Sequence, residues 1–468
     1  MPRLTSLSFC LTALAAGLAL APCAHAADPQ VAVPEALAAH ASDGWSYRFL
    51  EGLTTQIGQR LAATDAEARA AEWAMVQLTA AGFESVHKEP VPMTGWVRGA
   101  ESGDIVAPVA QHLVLTALGG SVATSAKGIT AEIALFRTYA ELLAAPTGSL
   151  AGKIAVVTEP MVLVADGSGY GAAGPIRHAG PAEAARRGAV AYLHRSLGTD
   201  SHRLAHTGVT EYIADVPKIP AAALAVPDAE QLERLAALGP VQVHLVLTPT
   251  EHKDAQSWTV SGEIKGRERP DEIVLLGAHL DSWDLGTGAI DDGAGLAIVT
   301  GAARAIGQLP VHPRRTVRVV LFGAEEMGFS GPAYAKAHAA EAAHIAIAGE
   351  ADFGAGKAYS MQIPASAAGT PFAKSLAAAL TPLGAFVARE PARFAGADIE
   401  DLQQAGVPVM DPRQNGLSYF DIHHTADDTF DKINPADLAQ NVGVWAATAW
   451  LAAETDMDFR IPAAAPGQ

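Results

Sequence analysis

From about residue 256 onward, nearly continuous apolar runs alternate with runs of helical spacing. EIVLLGAHL (272–280), TVRVVLFGA (316–324), HIAIAGEAD (344–352) and VPVMD (407–411) read as strands. GAGLAIVTGAARAIGQ (293–308), GPAYAKAHAA (331–340), FAKSLAAALTPLG (372–384) and PADLAQNVGVWAATAWLAAE (435–454) read as helices. A strand that is apolar on both sides must be covered on both faces. The pattern therefore predicts an α/β fold, a mostly parallel central sheet with helices on both faces. In such sheets ligands sit beyond the carboxyl ends of the strands.

Upstream the texture differs. Residues 34–82 look helical, with Thr64 or Asp65 as N-cap and Gly82 as a stop. From about 100 to 255, short β-rich runs such as KIAVV (153–157) and VQVHLVL (241–247) alternate with Gly- and Pro-containing loops, around one helix at 181–189. This stretch reads as an inserted mixed β/α module. The expected division is 1–26 as signal, 27–101 and 256–456 as one discontinuous domain, 102–255 as the insert and 457–468 as a tail.

The first residues read as a cleaved export signal: one early cationic residue, an apolar run from Leu11 to Ala21, then Ala24-His25-Ala26. The run is too short to anchor a chain in a bilayer. A lipidation box at Cys23 is disfavoured by Pro22. The expected location is secreted or periplasmic. Both cysteines, Cys10 and Cys23, fall in the signal. An exported mature chain would then lack disulfides, and any metal site would have to use His, Asp and Glu. The net charge of -18 argues against nucleic acid or an anionic membrane as partner.

The acids are not scattered. AHLDSWDLGTGAIDDGAG (278–295) places one histidine and four aspartates between two apolar segments. Such a cluster beside a core is costly unless the charges are paired or bind metal. His279 and Asp281 end the first strand, and Asp291 and Asp292 precede the next helix. Glu325 and Glu326 follow the second strand, Asp352 ends the third, and His424 follows the fourth after a loop. Each lies at a carboxyl end, on one rim. Imidazole and carboxylate are zinc ligands, and two metals about 3.5–4 Å apart can share a carboxylate and a water. Asp281 could accept the second ring N–H of His279 and fix its tautomer. Of the Glu325–Glu326 pair, one can bind metal while the other stays free as a base. Each motif alone is weak, since an EE pair commonly opens a helix. His87, His252 and His338 read as solvated. His202 and His206 lie in the insert with no role assigned.

HLDSWDLGTGAIDDGAG, FGAEEMGFSG, EADFG and HHTADDT together resemble the di-zinc aminopeptidase and carboxypeptidase family, in its plasma glutamate carboxypeptidase (carboxypeptidase Q) branch. GPAEAARRGAVAYLHRS, HTGVTEY and VPKIPAAALAVPDAEQLERL are similar to that branch's protease-associated-like insert. The resemblance spans about residues 40–455. It implies a zinc exopeptidase-like fold and two Zn²⁺: His279 and Asp352 on one, Glu326 and His424 on the other, Asp291 bridging. Asp281 would orient His279, and Glu325 would be the general base. A cis peptide would follow Asp291. Asp428 would support the site. Tyr419, by its nearness in sequence to His424 and not by the resemblance, is a candidate to assist at the substrate oxygen. The implied activity is exopeptidase hydrolysis of short peptides or dipeptides. A homodimer is compatible with it. The rival readings are a single-zinc glutaminyl cyclase-like acyl transferase, a non-catalytic binding protein on the same fold, and an exported amidase.

Overall fold

A computed structural model of the chain describes residues 29–460. The expected signal and the last residues of the expected tail lie outside that range. The central sheet has five strands, in the spatial order Glu84–Val97, Thr250–Ile264, Arg315–Phe322, Arg269–His279 and Ile345–Glu350. The last three run parallel, and the first two add antiparallel. Parallel neighbours need a crossover connection. Only residues 265–268 separate Thr250–Ile264 from the next strand, too few for one. The parallel part is the part whose carboxyl ends carry the acids.

Period two explains how both faces are covered. Val274 and Leu276 point into the large core with Leu296 and Trp445. Ile273 and Leu275 point the other way, against Tyr334, Ile399 and Leu402. The first face is closed by the helices Ala294–Gly307 and Pro435–Glu454, which pack on each other, the second by Ser330–Ala337 and Glu400–Gln404. Fully burying each such side chain contributes roughly 1.5–3 kcal/mol.

Two details differ from the sequence reading. The helical stretch before residue 82 is three helices, Pro29–Ala41, Trp45–Gln56 and Asp65–Ala80, the last capped by Thr64, whose hydroxyl accepts from the Glu67 amide. The fourth expected strand makes a single parallel bridge, Val409 to Ala348. Pro408 lacks the N–H that a fuller ladder requires. The chain then pairs as Asp411–Gln414 with Ala358–Gln362 in a separate three-stranded sheet.

The chain leaves the central sheet at Val97 and returns at its register partner Thr250. Between them lies an eight-stranded sheet. Its parallel core is Ile129–Phe136, Ile154–Val157, Ala191–Arg195 and Ala221–Leu224. The helices Ser168–His178, Gly180–Arg186 and Val226–Ala236 belong to the same segment. No helix among the described residues is long and apolar enough to cross a membrane.

Candidate metal centre

His279 is the last residue of the central strand of the parallel trio. Its amide donates to Asp292 Oδ2 at 3.0 Å. Its ring Nε2 lies 3.0 Å from Asp291 Oδ1, 3.5 Å from Asp352 Oδ1 and 4.0 Å from Glu325 Oε2. His424 Nε2 approaches from the other side, 3.0 Å from Asp291 Oδ2 and 3.1 Å from Glu326 Oε2. Each Asp291 oxygen therefore faces a different imidazole. His279, Asp281, Asp291, Glu325, Glu326, Asp352 and His424, singled out from the sequence, all meet here.

The loop that delivers Asp291 is held from below. The Asp428 carboxylate accepts the amides of Ala289, Ile290 and Asp291 at 2.8, 2.6 and 3.1 Å. The fully buried Arg60 donates to the carbonyls of Leu280, Thr287 and Gly288. The Asp291–Asp292 peptide is cis, as the resemblance implies. Asp292 Oδ1 accepts the Gly295 amide at 3.0 Å, one of the free amides in the first turn of the helix starting at Ala294. A side chain at Gly295 would collide with the Ala351 carbonyl, so only glycine lets this helix approach the strand end.

Asp281 meets the His279 ring through its backbone carbonyl rather than through the expected carboxylate. The nearest acceptor to His279 Nδ1 is the Asp281 carbonyl, at 3.0 Å, while its carboxylate Oδ1 stands at 3.6 Å. That carboxylate accepts the amides of Glu325 and Glu326, at 3.1 and 3.3 Å. It thus ties the glutamate pair to the histidine strand. The two glutamates diverge. Glu326 is 4 % exposed and faces His424, whereas Glu325 is 17 % exposed and its carboxylate accepts no hydrogen bond from the described residues. His423 stacks on His424 at 3.5 Å between ring centroids but reaches only Asp291, at 3.4 Å. His424 thus faces two of the expected ligands, and its neighbour one.

Electrostatics set the chemistry. Burial pushes Glu325 and Asp292 well above the usual carboxylate range, and Glu326 and Asp352 up. Repulsion from Asp352 and Glu326 adds to the effect on Glu325. Burial raises Asp291 too, but the close imidazoles of His279 and His424 outweigh it and hold this carboxyl well below the usual range. Burial and the charge of His424 push His423 down. So many acids cannot all ionise in one desolvated site without a cation. Asp291 Oδ2 and Glu326 Oε1 are buried without a hydrogen-bond partner, and three overlapping His/Asp/Glu groups offer ligand atoms within 4.8 Å of one another. A donor set of nitrogen and carboxylate oxygen fits zinc.

The centre borders a cavity of about 10 Å³ lined by Trp283, Gly286, Gly288, Asp291, Glu326, His424, Thr425 and Asp428. A larger groove, about 580 Å³, lies among Ser366, Gln403, Phe459 and Arg460 and contains none of the site residues. Tyr419 is buried beside Phe353, and no hydrogen bond among the described residues occupies its hydroxyl. The insert also reaches the site. His424 Nδ1 lies 3.2 Å from the Thr207 carbonyl, which aims Nε2 at the acids. Arg98 binds Asp284 through two nitrogens and Thr207 through its hydroxyl.

Sequence reasoning passed over Arg60, Asp292 as an acceptor of the His279 amide, and the Thr207 carbonyl. Arg60 belongs to no motif and acts on backbone far along the chain; Thr207 lies in HTGVTEY, but its carbonyl meets the His424 ring more than two hundred residues away. Asp292 had a signal, its position just before a helix. His338, expected to be solvated, is half-buried between Glu89 and Glu341, because the Glu84–Val97 strand brings Glu89 alongside.

The signature of peptidase family M28 matches residues 259–449. The chain is 35 % identical over 419 residues to carboxypeptidase Q of Mus musculus, covering 89 % of this chain and 87 % of that one. Identity to the Homo sapiens protein of that name is 33 %, covering 89 % and 86 %. The crystal structure of a peptidase M28 precursor from Shewanella amazonensis superposes with a TM-score of 0.89 at 44 % identity, covering 94 % of this chain and 99 % of that one. BSAP, a zinc aminopeptidase from Bacillus subtilis, shares the fold with a TM-score of 0.62 at 20 % identity, covering 90 % and 95 %.

Proposed function

This chain belongs to peptidase family M28 and is a metallopeptidase, and from that premise we propose that it is an exported two-zinc exopeptidase acting on short peptides and dipeptides. The observation that carries the two-metal reading is Asp291, whose oxygens face His279 and His424 separately while Oδ2 has no hydrogen-bond donor. His279 and Asp352 would hold one zinc, Glu326 and His424 the other, and Asp291 would belong to both. When bound, zinc supplies Lewis acidity that acidifies water and polarises a peptide carbonyl.

The rest is the work of the chain's own groups. Glu325, the more exposed and unengaged of the two glutamates, takes the proton of the attacking water. It then returns that proton to the departing amine. Asp281 holds Glu325 in reach through its backbone amide. Tyr419, with a free hydroxyl beside the site, donates to the substrate oxygen as negative charge develops there. Short substrates fit a centre that the insert contacts directly at Thr207. Export rests on the sequence of residues 1–26.

The test is bound zinc per chain together with dipeptide hydrolysis, on the wild-type protein and on Glu325→Gln. Two zincs, retained in a variant whose kcat falls about 10²–10⁴-fold, are expected. One zinc would favour the cyclase-like acyl transferase instead. No metal and no turnover would favour a binding protein.

A further inference from the structure

His424 has φ +61°, in the left-handed region that a side chain makes unfavourable. Such a conformation persists where the surroundings enforce it, and at functional sites it is often part of the mechanism. Two consecutive residues of the insert grip this backbone. The Thr207 amide donates to the His424 carbonyl at 3.0 Å. The His206 ring Nδ1 lies 2.8 Å from the His423 carbonyl oxygen. That carbonyl belongs to the peptide plane between residues 423 and 424, whose rotation is the φ of His424. Holding it holds the angle.

His206 is itself fixed on both sides. Its Nε2 lies 2.7 Å from Asp200 Oδ2, and its amide donates to Ser196 Oγ at 2.9 Å. The side chains of His206 and Asp200 are 1 % and 2 % exposed, so water does not compete for either bond. Asp200 is braced in turn by the His202 amide, at 2.6 Å. A buried polar pair is a costly way to hold a loop, and an apolar contact could supply the same packing. What the pair adds is direction. It points one N–H at one carbonyl.

We propose that Asp200 and His206 are positioning residues for one of the two metal positions: they lock the 423–424 peptide so that His424 presents Nε2 beside Asp291 and Glu326. The proposal rests on the two-zinc reading above. It makes the insert a part of the centre rather than only a wall around it. It also makes the effect one-sided, because His279 takes no support from residues 196–210.

The experiment is zinc titration of the metal-stripped full chain against a chromophoric chelator, with the visible spectrum of the cobalt-loaded protein as a second readout. Wild type is expected to show two sites. In His206→Leu one site should weaken about 10–100-fold, the scale for losing an outer partner of a ligand, while the other is unchanged. His206→Asn, whose amide nitrogen can stand near the place of Nδ1, should recover most of the loss. Asp200→Asn, which keeps the volume and removes the charge, should fall between them. Retained circular dichroism separates these effects from unfolding. If His206→Leu does not fold, the graded response of the Asn variants decides, and unchanged affinities in both would overturn the proposal. A two-site wild type with an unaffected, folded His206→Leu would overturn it alone. Equal weakening of both sites would overturn it as well. A one-site wild type would overturn the two-zinc reading, and this proposal with it.

Discussion

His279 and His424 face the same carboxylate from two different kinds of scaffold. His279 ends a strand whose neighbours on both sides are parallel and buried. Its amide and its ring are satisfied by Asp292 and by the Asp281 carbonyl, both within a short stretch of chain. His424 sits in a loop, in a left-handed conformation, and its ring and backbone are satisfied by Thr207 and its neighbour in the insert. One half of the centre is built by the sheet. The other half is built by contact between two distant parts of the sequence. A sheet end is available wherever the fold forms, whereas a loop must be held by something else.

The comparison breaks most completely at Asp291, which both halves share. Asp291→Ala should lose both zincs. Activity should then fall to background, beyond the roughly 10²–10³-fold typical of losing one electrostatic contact. Metal analysis of the dialysed variant checks it, and one zinc retained at full affinity would mean that the carboxylate is not shared. Asp428→Ala removes the common acceptor of three loop amides. It should cost about 3 kcal/mol of stability, on the scale of leaving buried donors unpaired, read as a lower urea midpoint at unchanged slope.

Asp292→Asn sharpens the contrast by touching only the strand side. It can keep one of its two backbone acceptances and should cost about 1–2 kcal/mol. Its zinc titration should mirror that of His206→Leu, with the His279 position weakened and the other spared. Equal loss at both positions would merge the two halves into one unit.

The smallest effect is a control remote from both halves. Hydrogen bonding to Glu341, and then to Glu89, outweighs burial and raises His338 above its ordinary value. In turn His338 and Arg318 outweigh burial and hold Glu341 down at about 2. The contribution of His338 is therefore full below about pH 6.5 and is lost as pH rises through its raised value. That of Glu341 is full above about pH 4.5 and is lost as pH falls through about 2. His338→Gln should lower stability by a few tenths of a kcal/mol at pH 6, the scale of partly exposed pairs, and by nothing measurable at pH 9. Thermal midpoints at the two pH values check it. An equal loss at both would assign His338 a packing role.

The same division explains how much the sequence revealed. The sheet side was legible because apolar strands have a recognisable run, and the residue that ends each run is where such folds bind ligands. His279, Asp291, Glu325, Glu326 and Asp352 follow from that rule together with their residue types. His424 needed a motif, since its strand shrank to a single bridge at Val409. Arg60 and the Thr207 carbonyl were not legible at all. A side chain that binds backbone more than two hundred positions away has no periodicity. A carbonyl acts without regard to the side chain attached to it. The role of the Asp281 carboxylate was half legible: its nearness to His279 follows from strand geometry, but its grip on the Glu325 and Glu326 amides depends on how two strand ends face each other.

The pairing of residues 206–207 with 423–424 also bears on the order of events during folding. Contacts so distant along a chain close late, because the entropy of bringing their ends together must be met first. A growing chain that has reached Asp352 already holds one histidine and its carboxylates, with no partner on the other side. The second histidine arrives only when residue 424 has been made and has found a loop completed some two hundred residues earlier. Under the two-zinc reading proposed above, hydrolytic competence is thus tied to completion of the fold.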